Sequence, residues 1–295
     1  QQNMKKIQGG LTLILNRLFK PVLLMTALLI ILLQTAEASP EKKLSIFVSI
    51  PPQAYFAQQI CKDKLNIEVL LPPGKSPATY APTPGQMIKL SNAALYFSIG
   101  VPFEQGLIPK LEKFSKHLNI VDTRQGIKMR TFADGTIDPH IWMSPLLAAE
   151  QARTMCRALC TSQPELKSFF KNNLSSFLKD IEQLHREINQ TLAPLKGDTI
   201  LVFHPVLGYF CDLYGLKQVA VEKGGKVPKG KDLVSLIRQA RKNKTRVVFV
   251  QPQFDTRTAD KIASAINGVV VSMNPLAREY ISNLQTMALK IKQAL

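Results

Sequence analysis

The chain has 295 residues, 45% of them hydrophobic and 20% charged, with 38 Lys and Arg against 21 Asp and Glu and a formal net charge of +17. That length carries one large or two medium globular domains with cores of their own. Its four cysteines are too few to frame a domain of this size with disulfides, so the fold must rest on a hydrophobic core.

The first 38 residues read as a secretory signal. Lys5, Lys6, Arg17 and Lys20 form a basic leader, residues 21–33 an apolar core, and Ala36-Glu37-Ala38 a small-x-small site with cleavage expected before Ser39. The core is short for a membrane span, which needs about 20 apolar residues; an uncleaved anchor is the rival reading. No cysteine follows that core to carry a lipid, and Gln1 to Asn3, ahead of Met4, read as an upstream extension. Residues 1–38 hold four of the basic residues and one of the acidic ones, so +14 remains without them. Such an excess fits nucleic acid or an anionic membrane face. Export argues against nucleic acid, and the charges are scattered, so a basic solvated surface is the simpler account. The expected location is the periplasm, with no membrane insertion after cleavage.

From Ser39 onward strands and helices alternate. Residues 44–50 are an apolar, β-branched run suited to a buried parallel strand, and Pro51-Pro52 end it. A helix is predicted over 53–61 and a strand over 66–71. Residues 72–84 are too rich in proline for either regular state. Thr83 and Pro84 then cap and open a helix to Ser91. A strand follows at 94–99, a helix at 104–115 and a strand at 118–122. Four strands separated by helices predict a parallel sheet covered on both faces with right-handed crossovers. Residues 123–139 read as a polar loop leading into Asp138-Pro139-His140-Ile141-Trp142-Met143-Ser144-Pro145. Pro139 stiffens that turn, and Ser144 with Pro145 opens the next helix.

Two helices are predicted next, over 145–159 and 164–195. In the second, Phe170, Leu174, Phe177, Ile181, Leu184 and Ile188 recur at spacings of three and four as one stripe. Thirty helical residues reach roughly 45 Å, enough to run along both halves of the molecule. After Gly197 the alternation resumes, with strands at 199–203, 217–221, 246–250 and 269–273. Helices are expected at 207–214, 232–243, 256–266 and 279–295, and Gly224 to Pro228 form a turn. The predicted fold is α/β: two parallel-sheet lobes joined by one long spine helix. The expected divisions are 1–38 signal, 39–144 first lobe, 145–196 helical region and 197–295 second lobe. Cys156 and Cys160 share a helix face, but four-residue spacing holds their Cβ atoms about 5–6 Å apart, too far for an unstrained disulfide; the four cysteines read mainly as buried small residues, with a disulfide as the alternative.

Ligands of such sheets bind at the carboxyl ends of strands. Four residues stand there in similar settings: Ala78 in the proline-rich loop, His140 on the stiff turn, His204 at the end of strand 199–203, and Asn274 at the end of strand 269–273. Neutral imidazole is a common ligand for zinc, although a lone histidine beside Trp142 is ordinarily packing. His117 and His185 read as solvated, and Tyr80 and Trp142 as cleft or core packing.

Six motifs stand in order along the chain: Pro77 to Pro84, Ser98-Ile99-Gly100-Val101-Pro102-Phe103-Glu104, Asp138 to Pro145, Phe203-His204-Pro205 with Gly208-Tyr209-Phe210, Val248 to Phe254, and Asn274-Pro275-Leu276. On these the chain resembles the metal receptors of bacterial ABC transporters for zinc and manganese, over about residues 44–295. The resemblance implies two α/β lobes, one long connecting helix limiting hinge motion, a divalent metal between the lobes, and an ABC permease as partner of a monomeric receptor. It also implies the ligand set. His140 and His204 match two ligands of such receptors; Ala78 stands where the family usually has histidine, and Asn274 where it usually has aspartate. Residues 123–137 contain no histidine, so the histidine-rich loop of many zinc-specific members is missing too.

Alanine cannot coordinate, and asparagine offers only a neutral oxygen, poor for zinc and acceptable to harder ions. The expected site is therefore His140, His204 and Asn274, holding Zn2+, with Mn2+ or no metal as alternatives, and weakened or altered. Glu222 and Asp138 are candidates for a replacement carboxylate, and Asn274 for a hydrogen bond to His204 or a water. A same-fold receptor for a non-metal solute and an adhesin-like or accessory interaction protein are the other readings. No nucleophile with an adjacent base, cofactor fingerprint or phosphate loop marks an enzyme.

Overall fold

Two parallel sheets of the same design organise the chain. The computed structural model describes residues 43–295; the expected signal segment falls outside them. In the first sheet β1 (Ser45–Val48), β2 (Asn66–Val69), β3 (Leu95–Ser98) and β4 (Asn119–Asp122) lie in the order β2-β1-β3-β4. In the second, β5 (Thr199–Val202), β6 (Lys217–Ala220), β7 (Val247–Val250) and β8 (Val269–Ser272) lie in the order β6-β5-β7-β8. All six pairings are parallel. Sequence tells centre from edge. Leu95-Tyr96-Phe97-Ser98 and Val247-Val248-Phe249-Val250 are buried throughout, as strands covered on both faces must be, whereas edge strands β2 and β6 carry Asn66, Glu68, Lys217 and Gln218. Each order reverses between its two central strands, and their carboxyl ends open a crevice there.

The crossovers are α1 (Pro51–Cys61), α2 (Pro84–Ser91) and α3 (Pro102–Phe114) in the first sheet, and α6 (Gly208–Tyr214), α7 (Lys231–Lys242) and α8 (Arg257–Ala265) in the second. The last helix is α9 (Tyr280–Ala294). The expected cap at Thr83 is present, its Oγ1 accepting from Gln86 N at 3.3 Å while Gln86 Oε1 accepts from Thr83 N at 3.0 Å. Elements match the sequence reading within one to three residues at most ends, because the last residues of each apolar run leave the ladder and become the loops that build the site.

Between the sheets lie α4 (Pro145–Ser162) and α5 (Lys167–Leu192). The helix expected over 164–195 is α5 flanked by tighter turns at Pro164–Leu166 and Ala193–Leu195. Pro164 has no N–H to give and opens the first; Pro194 breaks the ladder in the second. At about 1.5 Å per residue α5 reaches roughly 39 Å. Phe170, Phe177, Ile181, Leu184, Ile188 and Leu192 form its buried stripe. It packs on α1, α4 and α9. Asn173 donates to Ile60 O of α1 at 3.0 Å, while His185 Nδ1 lies 3.3 Å from the Tyr214 hydroxyl of α6. The spine thus touches both halves, and His185 is half-buried against Tyr214 rather than solvated as expected.

Residues 44–295 form one compact unit. A continuous core runs from the first sheet through α4, α5 and α9 to Ile200, Val202, Val247 and Phe249 on one face of the second sheet. A smaller cluster around Leu201, Val221, Val248 and Ile262 fills the other face. All four cysteines are reduced, with 3.9 Å between Cys156 Sγ and Cys160 Sγ. Among the described residues, no helix is long and apolar enough to cross a membrane.

Candidate metal centre

Two of the four expected positions meet. The His140 and His204 ring centroids are 5.3 Å apart with planes at 80°. Two imidazoles sharing one tetrahedral zinc through nitrogens at 2.0–2.1 Å hold their centroids about 5 Å apart, so the spacing fits a shared ion.

Each ring is fixed from behind by a carboxylate. Asp138 Oδ1 lies 2.7 Å from His140 Nδ1 and also accepts from His140 N at 3.0 Å, closing an Asx turn across Pro139. Glu222 Oε2 lies 2.8 Å from His204 Nδ1. A carboxylate accepts, so each Nδ1 carries the hydrogen and each Nε2 keeps its lone pair for a ligand. Asp138 and Glu222 are thus orienting partners of the two rings. Burial comes first among the influences on His140: at 8% exposure it lowers the imidazole pKa, against the upward pull of Asp138. The neutral, metal-ready ring is the favoured form.

The rings rest on the fold at several points. His204 follows β5 and Gln251 follows β7, at the reversal of the second sheet. Gln251 Nε2 donates to His204 O and Gln251 Oε1 accepts from His204 N, both at 3.3 Å. The turn carrying His140 is tied to the second half, Trp142 Nε1 donating to Pro275 O at 2.9 Å and Tyr280 Oη to Trp142 O at 2.7 Å. Tyr209 Oη donates to Asp138 O at 2.9 Å and accepts from Arg130 N at 2.8 Å. Phe254 stacks on His204 at 5.4 Å, and Trp142 meets His140 edge-on at 5.2 Å.

The other two positions contribute no donor. Ala78 presents a methyl group to the cavity wall. Asn274 Oδ1 accepts from Leu276 N at 3.1 Å, and Pro275 and Leu276, not Asn274, line the cavity. The expected bond from Asn274 to His204 is replaced by this local turn. Among the described residues, no three His, Cys, Asp or Glu side chains are grouped to hold a metal. Residues 123–139, expected as plain loop, fold back on themselves through a bridge between Thr131 and Ile137, with Phe132 N donating to Thr136 O at 2.8 Å. This hairpin carries Phe132 and Ile137 into the cavity wall.

The sequence profile of the periplasmic zinc-uptake complex component A family, ZnuA, matches residues 46–294. The chain belongs to this family. A crystal structure of a ZnuA protein superposes with a TM-score of 0.83 at 38% identity, covering 85% of this chain and 99% of that one. The high-affinity zinc uptake system protein ZnuA of Yersinia pestis is 27% identical over 88% of this chain and 90% of its own length. The manganese ABC transporter substrate-binding lipoprotein PsaA of Streptococcus pneumoniae is 24% identical over 90% of this chain and 87% of its own. The two parallel lobes and the helix between them are thus the fold of the ZnuA family.

Sequence reasoning did not give Asp138, Glu222 and Gln251 their supporting roles. Asp138 was signalled by its place two residues before His140. Glu222 and Gln251 are signalled only by strand register, because both lie in other loops than His204.

Proposed function

We propose that this chain is an exported receptor, and not an enzyme, that captures a divalent metal between its lobes and delivers it to the permease of an ABC importer. Zinc is the foremost cargo and manganese the alternative. The observation that carries this reading is the pair of imidazoles 5.3 Å apart, each with its Nδ1 held by a carboxylate. That arrangement is the usual support of a metal-ligating histidine. Family membership and the zinc and manganese receptors among its relatives support the same cargo and the same kind of partner. In this reading the receptor acts as a monomer, with lobes 39–144 and 197–295 flanking the helical region 145–196.

His140 and His204 are the proposed ligands. Asn274, whose oxygen is held by Leu276 N outside the cavity lining, joins them only if its side chain turns inward. Two ligands in place of four lower affinity, and about 4 kcal/mol separates nanomolar from micromolar binding. Calorimetric titration of the chelator-stripped protein with zinc and with manganese tests the reading. Micromolar zinc binding that disappears in His204→Ala supports it. A wild type silent toward zinc both as the free ion and as a small chelate, beside an Ala78→His/Asn274→Asp variant that binds zinc, overturns it and leaves a receptor fold whose metal site has been abandoned.

A further inference from the structure

The open cleft in front of the two histidines has a volume of about 850 Å3. A metal ion wrapped by four side chains needs little more room than one water, about 30 Å3 in the liquid. Pockets for whole organic ligands run from about 300 to 1,000 Å3. Zinc bound by two imidazoles keeps two tetrahedral positions open, and neither position 78 nor position 274 brings a donor to fill them. Ala78 is a methyl group at the wall and Asn274 Oδ1 is turned to Leu276 N; Asp138 and Glu222 each hold an Nδ1 atom, and Asp134, also on the cavity wall, accepts from Thr136 N and Oγ1. What the chain does bring is apolar surface. Phe132, Ile137, Trp142 and Phe254 share the cavity with the histidines, and Gln105 and Gln253 add amides to its wall.

We infer that the cargo is a metal complex and not a bare ion: Zn2+ carrying one small bidentate chelator of amino-acid type. This deepens the metal-receptor reading and rests on it. The chelator's amine nitrogen and one carboxylate oxygen take the two open positions, giving zinc three nitrogens and one oxygen, a donor set it accepts readily. As His140 and His204 coordinate, two waters leave the incoming complex and the chelator stays. The chelator's carboxylate supplies the negative charge in the first coordination sphere that neither Ala78 nor Asn274 can supply. Its second oxygen suits the amides of Gln105 and Gln253. The apolar part of the cavity favours a chelator with a hydrophobic or aromatic side chain, which sets the direction of selectivity.

Glycine and L-phenylalanine provide the test, because both chelate zinc through the same two donors and differ only in the side chain. Zinc is titrated into the stripped protein at pH 8, alone and with each amino acid in millimolar excess, and native mass spectra are recorded. The expected result is a protein species carrying one zinc and one amino acid. L-Phenylalanine should raise apparent zinc affinity at least ten-fold above the value that competition for free zinc allows, and glycine should raise it less. The Ala78→His/Asn274→Asp variant should bind zinc alone more tightly and show no amino-acid adduct. Zinc binding through His204 that both amino acids merely compete away overturns the chelate inference and leaves the receptor reading standing. Absence of binding to zinc alone and to both complexes overturns the two together.

Discussion

Glu222 Oε2 sits 2.8 Å from His204 Nδ1 because of strand register. β5 and β6 pair with Val202 opposite Ala220. Carried two residues past the strand ends, that register sets His204 opposite Glu222, and Glu222 N donates to Phe203 O at 2.9 Å. The carboxylate fixes the tautomer that leaves Nε2 free. Partners of this kind are worth about 10- to 100-fold in metal affinity. Glu222→Ala should therefore weaken zinc binding by about that factor, and Glu222→Gln, which keeps an acceptor oxygen, by less. Calorimetry on both variants, with the apo melting temperature as a control for folding, checks this. An unchanged affinity in Glu222→Ala would mean that His204 does not coordinate through Nε2.

Gly208 gives a second handle on the site. A Cβ built there would lie 1.6 Å from Arg130 Nη1 and 2.8 Å from Asp138 Oδ2. The guanidinium spans Asp138 at 3.5 Å and Asp212 at 2.9 Å, and being the end of a flexible side chain it yields before the backbone does. Gly208→Ala should displace Arg130 and leave the fully buried Asp138 without its cation. Overpacking of this kind costs about 1–3 kcal/mol, with zinc binding weakened in parallel through His140. In a double-mutant cycle with Arg130→Ala the two losses should be strongly non-additive, because both remove the same ion pair. Additive losses would place the glycine's role elsewhere in α6.

The order of strands and helices was legible because each apolar run ends in a proline, a glycine or a polar turn: Pro51, Gly100, Gly197, Pro205 and Pro275 all stand just past, or just before, an element. His140 and His204 were legible through their proline neighbours and the motifs around them. Glu222 was visible as a residue but not as a partner, since its role depends on the pairing of β5 with β6. Asn274 marks a sharper limit. Its amide was a candidate ligand by chemistry, and only the turn that offers Leu276 N decides where the oxygen points. The size of the cavity was equally hidden, because the hairpin through Thr131 and Ile137 that builds one wall has no apolar periodicity of its own.

The spine offers a stability test remote from the site. Phe177 is 1% exposed and meets Tyr55 and Phe56 of α1 at centroid distances of 6.0 and 5.9 Å. Removing such a ring costs about 3–5 kcal/mol in lost burial plus the cavity left behind. Phe177→Ala should lower the urea midpoint accordingly with an unchanged slope. Phe177→Leu should recover most of the loss. A Phe177→Ala effect below 1 kcal/mol would show that α1 and α5 are not held together through this ring.

Glu104 gives the acidic limb of stability. It lies on the first turn of α3, 2% exposed, and accepts from Ile99 N at 3.0 Å, from Gly100 N at 2.6 Å and from the Ser49 hydroxyl. Burial nevertheless raises its pKa above 4.5, with those bonds and Arg124 pulling the other way. A carboxyl whose folded pKa is raised binds its proton more tightly in the folded state than in the unfolded chain. Its contribution is thus full at or below pH 4.5 and declines as pH rises through the folded pKa. Glu104→Gln removes the titration and turns an NH2 group toward backbone donors, leaving a buried group unpaired at a cost of about 1–3 kcal/mol. Urea unfolding between pH 4.5 and 8 should show wild type more stable throughout, by a margin that narrows as pH rises. A margin that widens instead would mean that the backbone donors outweigh burial and that Glu104 is held as a carboxylate down to acidic pH.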